Sequence, residues 1–146
     1  MAIPAETPYF RKLGAEFGGH GRKFSKVASD VYDVGALMSF YIGVGTVRVF
    51  TAGDKVLGIC KQPVAATDSN YADTTPIEVE ILFRGDECHC PVSSGTIGLT
   101  ELGDELDGVT GGLSLTTTES NNDFRSVALE GAATDSVIAV PINTVY

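Results

Sequence analysis

A five-residue phrase that occurs twice constrains this chain more than any other feature. Ala65-Ala66-Thr67-Asp68-Ser69 and Ala132-Ala133-Thr134-Asp135-Ser136 are identical and 132 − 65 = 67 positions apart. Each copy joins two apolar, β-branched runs. The first stands between Lys55–Cys60 and Pro76–Phe83, the second between Phe124–Leu129 and Ser136–Ile142. Both read as strand, polar connection, strand. Thr, Asp and Ser suit the connection because their short oxygens bond nearby backbone N–H groups. The frame predicts two related hairpins, about 55–83 and 124–142, as from an internal duplication.

The 146 residues suffice for one domain with a real core. The 17 glycines mostly punctuate apparent strands. No window of a dozen residues keeps the apolar spacing of an amphipathic helix. The predicted fold is therefore all-β, a small antiparallel β-barrel or sandwich-like body over 31–146, with an extended N-terminal arm over 1–30. Ile77-Glu78-Val79-Glu80-Ile81 alternates, which predicts one buried face and glutamates in water.

The arm opens extended, because Pro4 and Pro8 each remove a donor and restrict the residue before them. Tyr9, Phe10, Leu13 and Phe17 then allow up to two helical turns, ended by Gly18-Gly19-His20-Gly21. Residues 1–26 hold Arg11, Lys12, Arg22, Lys23 and Lys26 against Glu6 and Glu16, so 5 − 2 = +3. With a total of −9, the remainder carries −9 − 3 = −12. A basic leader on an acidic body suits docking onto another acidic protein surface. The arm's aromatics either serve that docking or fold back onto the barrel. Tyr9, Phe10, Arg11, Lys12, Phe17, Arg22 and Lys23 are the candidate contacts to a capsid or sister subunit. Val145 and Tyr146 form a further apolar patch for a neighbour.

Several function classes find little support. The net charge of −9 argues against nucleic acid as main partner, since phosphates need concentrated cations. No apolar run reaches the roughly 20 residues of a membrane span, and no signal peptide opens the chain, which predicts synthesis in a cytoplasm. Three cysteines, an odd number, argue against a disulfide framework. In Cys88-His89-Cys90 a strand would turn both sulfurs to one face and the imidazole to the other. That arrangement favours buried thiols over a zinc site or a Cys–His catalytic pair. The acidic stretch Glu101, Asp104, Glu105, Asp107 lacks the regular oxygen spacing of an EF-hand. No metal, no cofactor and no catalytic residue is predicted, and the chain reads as a non-enzyme.

Ala52-Gly53-Asp54-Lys55-Val56-Leu57-Gly58-Ile59 and Phe124-Arg125-Ser126-Val127-Ala128-Leu129-Glu130-Gly131-Ala132, each followed by an alternating strand, resemble phrases of the small decoration (cement) proteins of tailed-bacteriophage capsids. The likeness covers roughly 50–83 and 113–142. It implies a barrel-like body, commonly trimeric, on the capsid exterior at junctions between capsomers, with the major capsid protein as partner and an arm on neighbouring subunits. The long basic leader departs from that pattern. A phage tail or baseplate component is the alternative within the structural class. A small-ligand or carbohydrate-binding β module is the alternative outside it, though the chain has no Trp for sugar stacking.

Overall fold

The computed structural model describes residues 9–14, 20–131 and 134–146. Pro4, Glu6, Pro8, Glu16, Phe17, Gly18, Gly19 and the two alanines that open the second pentapeptide lie outside the described residues. Among the described residues the strands are β1 (Arg11–Lys12), β2 (Gly21–Ser25), β3 (Leu37–Tyr41), β4 (Thr46–Val49), β5 (Gly58–Cys60), β6 (Pro76–Ile81), β7 (Cys88–Ser94), β8 (Glu105–Gly108), β9 (Leu115–Thr116), β10 (Phe124–Leu129) and β11 (Ser136–Pro141). A single 3₁₀ turn, Leu99–Glu101, is the helical element among them. The architecture is all-β, as the strand pattern predicts.

Two sheets are formed. The first runs β2-β6-β5-β3-β4 and closes into a barrel where Lys26 bridges Val47 in parallel, bringing β4 back beside β2. The second runs β1-β7-β11-β10-β8-β9, and β9 also pairs in parallel with β7. Strands β7 to β11 thus form a second circuit, with β1 attached outside it. Numbered within its own circuit, each reads first, fifth, fourth, second, third and back to first, closing on a parallel contact.

The registers correspond as well. Val79 lies opposite both Arg22 and Cys60, and Ala139 lies opposite both Cys88 and Ser126. Met38 opposite Gly58 matches Leu106 opposite Phe124, and Phe40 opposite Val47 matches Gly108 opposite Leu115. The first pentapeptide falls in the 61–75 connection between the fourth and fifth strands of its circuit, and the described residues of the second, Thr134 to Ser136, lead into the fifth strand of the other. In the first, the Asp68 carboxylate accepts the Ala65 N–H at 2.8 Å. In the second, the backbone carbonyls of Thr134 and Asp135 accept from Ile97 and Val92. The described residues of the two copies therefore make different hydrogen bonds.

Alternation sorts the side chains into two cores. Tyr32, Met38, Val47, Leu57, Cys60, Ile77, Val79 and Ile81 fill the barrel. Leu106, Leu115, Phe124, Val137, Ala139, Cys88 and Cys90 share the other core with Leu37, Phe50, Val56 and Ile59 from the first unit. A strand shows alternate residues to opposite faces, so β3 and β5 feed both cores. Gly108 permits this approach: a Cβ there would stand 2.4 Å from the Phe50 ring. Glu80 shows the consequence and corrects the alternation reading. Glu78 is exposed, but Glu80 is buried because its register partner Ile59 belongs to the shared core. Its carboxylate meets the Lys61 Nζ at 3.6 Å.

The proposed boundary at residue 30 also needs correction. β2 pairs along its whole length with β6, and β1 pairs with β7 at Arg11–His89 and Lys12–Cys88. The Tyr9–Leu13 spacing gives strand here, not helix, because the β7 edge offers the backbone partners that an isolated segment lacks. Lys26, counted above as leader charge, is fully buried and donates to the Tyr71 and Asp73 carbonyls. It pins the 61–75 connection across the barrel.

Candidate functional site

The predicted contact residues divide in the structure. Phe10 is corrected from a docking contact to a core residue. It is buried, its ring stacks on Phe124 at 5.8 Å between centroids, and its N–H donates to the Gly35 carbonyl. Tyr9 and Arg11 are half-buried. Lys12 is held by Asp86 at 3.3 Å, and its Nζ stands 6.0 Å from the centre of the Phe83 ring. Arg22 and Lys23 are exposed on β2, opposite Val79 and Glu78. Phe17 lies outside the described residues.

Lys12 and Arg22 come together around Phe83, a residue the sequence reading did not single out. Phe83 continues the inward alternation Ile77, Val79, Ile81 one step past β6, so it sits at the rim and stays partly exposed. A tight turn fixes it there. Its N–H donates to the Asp86 carboxylate at 2.8 Å, and Gly85 takes φ +91, a conformation open to glycine. His20 meets the ring edge-on at 5.1 Å and Tyr146 lies beside it at 6.2 Å. Together His20, Arg22, Ile81, Phe83 and Tyr146 line a small pocket of about 60 Å³.

A second, larger hollow of about 340 Å³ is lined by Phe40, Ile42, Lys55 and Val145. Val145 and Tyr146 are neighbours in the chain, so the two hollows flank them. Hydrogen bonds from Val145 N–H to Val56 and from Arg84 N–H to Tyr146 strap this segment to the barrel. Beyond the larger hollow projects the β3–β4 turn, where Gly43 and Gly45 take φ +84 and +82. At its tip Ile42 is 85% exposed and Val44 56%. Arg48 lies over the Tyr41 ring at 4.4 Å and grips Asp54 with two N–H donors. Burial alone would raise the Asp54 carboxyl, but hydrogen bonds from Arg48 and Ser39 outweigh it and hold it below the ordinary value. The turn therefore stands on a braced base.

The reactive-looking groups are spent on structure. Cys88 and Cys90 point into the shared core while His89, on the opposite face, meets Glu130 at 2.6 Å. Cys60 belongs to the other core. Burial pushes the Cys60 thiol up to about 11 and Cys88 to about 12, far from the thiolate needed for ligation or attack. In the acidic stretch, Asp107 is buried and accepts the N–H groups of Ser120, Asn121 and Asn122.

The arrangement suits docking. Exposed aliphatic and aromatic groups, Ile42, Phe83, Val145 and Tyr146, line the two hollows, with Arg22 and Lys55 in the linings and Lys12 beside Phe83. No protein-family model and no curated protein matches the chain.

Proposed function

We propose that this chain is a structural virion protein that binds the outer surface of a tailed-virus capsid and stabilises it. The major capsid protein is its partner. The reading is supported by the decoration-protein phrases around Asp54 and Phe124 and by the all-β body they belong to, the first phrase leading into β5 of the barrel and the second forming β10 of the other circuit. The observation that carries it is the braced, glycine-flanked turn presenting Ile42 and Val44 to solvent. Contiguous exposed apolar surface favours contact with a partner, and this turn holds two aliphatic side chains in that position. Burying one such side chain against the shell contributes about 1.5–3 kcal/mol. Contacts of that size suffice on a particle, where many copies and several contacts act together.

The test is co-sedimentation of the intact protein with purified shells that lack it. The intact protein should pellet with the shells, and Ile42→Asp should weaken that binding about tenfold or more. Should the intact protein stay in the supernatant, or pellet only with isolated tails, the capsid reading fails.

A further inference from the structure

Two surface features are complementary to each other yet cannot meet within one chain. The first is the pocket lined by His20, Arg22, Phe83 and Tyr146, with Lys12 at its edge. The second is the turn at 98–104. There Leu99 is 78% exposed and Leu102 37%, beside Glu101 and the exposed Asp104. The Gly98 N–H and the Thr100 hydroxyl donate to the Glu101 carboxylate at 2.8 and 2.9 Å. Led by the Thr100 bond, they hold it below the ordinary carboxyl value. The turn is thus a fixed apolar knob with negative charge around it.

Their positions are set by β11. The Gly85 N–H, in the turn that carries Phe83, donates to Pro141 at the far end of that strand. The Ile97 N–H, just before the acidic turn, donates to Thr134, two residues before that strand begins. The anchor points Thr134 and Pro141 are 141 − 134 = 7 positions apart, most of them in β11, roughly 20–24 Å at the usual rise per residue. The knob of one chain therefore cannot reach the pocket of the same chain.

We propose that the acidic Leu99 turn of one copy docks into the basic, aromatic pocket of a second copy, giving a head-to-tail contact. Leu99 supplies the apolar insert against Phe83 and Tyr146, and Asp104 faces Arg22. Charge complementarity selects this occupant. Arg22 lines the pocket and Lys12, paired with Asp86, stands at its edge, on a protein of net charge −9, while the turn offers carboxylates beside its exposed leucine. A contact between two different patches leaves one of each unsatisfied at the ends, so the chain of copies either closes into a ring or grows. The proposal does not rest on the capsid reading, because it needs only copies of this protein.

The test is sedimentation velocity of the full chain over a range of concentrations, in low and high salt. The intact protein should associate beyond a dimer, and less so in high salt. Arg22→Glu and Leu99→Asp should each weaken self-association about tenfold or more, with far-UV circular dichroism unchanged, since both positions are exposed. An equimolar mixture of the two variants should form dimers and stop there. The Arg22→Glu chain keeps a working turn, and the Leu99→Asp chain keeps a working pocket. A monomeric intact protein overturns the proposal. So do folded variants that assemble like the intact chain, or a mixture that stays monomeric.

Discussion

The first barrel and the second circuit share strand order, register and closing contact, yet they bury their cores differently. The buried residues of the barrel core come from its own strands and the connections between them, with Lys26 and Tyr32 buried near its closure. The Tyr32 hydroxyl accepts from Val27 and donates to Val47, and burial pushes its ionisation up to about 12. The second circuit is not filled by its own strands alone. It takes Phe10 from the opening segment and Leu37, Phe50, Val56 and Ile59 from the first unit. The difference teaches that a repeated topology need not mean two independent folding units. One unit supplies all the fully buried residues of its own core, with only Leu113 of the other packed at its edge, and the other unit completes itself on its neighbour.

That comparison breaks most severely if the opening segment is removed. Deleting residues 1–26 takes away β1, β2 and Phe10, opening the barrel and leaving a void in the shared core at once. A domain is stable by only about 5–15 kcal/mol, so the truncated chain should show no cooperative thermal transition by circular dichroism. The sequence pattern, with strands starting near Val31, predicts the reverse, a folded body. A cooperative melt of the truncated protein would make β2 an appendage.

A smaller effect sharpens it. Phe124→Ala should destabilise the protein by about 3–5 kcal/mol in urea titrations. If the core is shared, amide exchange should quicken in β3 and β5 as well as in β10, because Leu37 and Ile59 belong to the same buried cluster as Phe124. Faster exchange confined to β10 and its sheet neighbours would argue for two separate cores.

The smallest effect distinguishes the units by pH. Asp54 in the first unit is held below the ordinary carboxyl value, its hydrogen bonds overcoming burial. Its contribution is complete above the unfolded-state value of about 3.9 and drains away as pH falls through the lower folded value. Asp123, joined to the second circuit through the Gly108 N–H and Asn143, is raised, chiefly by burial. Its stabilisation is complete below about 3.9 and is lost as pH rises through the higher folded value. On acidification the stability gap between the intact protein and Asp54→Asn should narrow, while the gap to Asp123→Asn should widen. Urea midpoints measured between neutral pH and pH 3 check both signs, and equal slopes would remove the contrast.

The amino-acid sequence by itself determined the local features. Short apolar runs with glycine and Asx turns between them dictate strands, and the repeated pentapeptide marks corresponding connections. The Cys88-His89-Cys90 spacing sends two thiols one way and an imidazole the other, because side chains alternate with period two. Tertiary structure alone decided which faces met. Alternation tells that Glu78 and Glu80 share a face, but only the neighbouring unit buries one and leaves the other in water. Aromatic content tells that Phe10 and Phe83 need surroundings, but only sheet closure puts one inside and the other on the rim. The same holds for charge. Counting assigns five cations to residues 1–26, while the fold buries Lys26, ties Lys12 to Asp86 and leaves Arg22 beside the pocket. Strand formation depends on neighbours in sequence. Burial and docking depend on residues tens of positions away, whose approach no local pattern encodes.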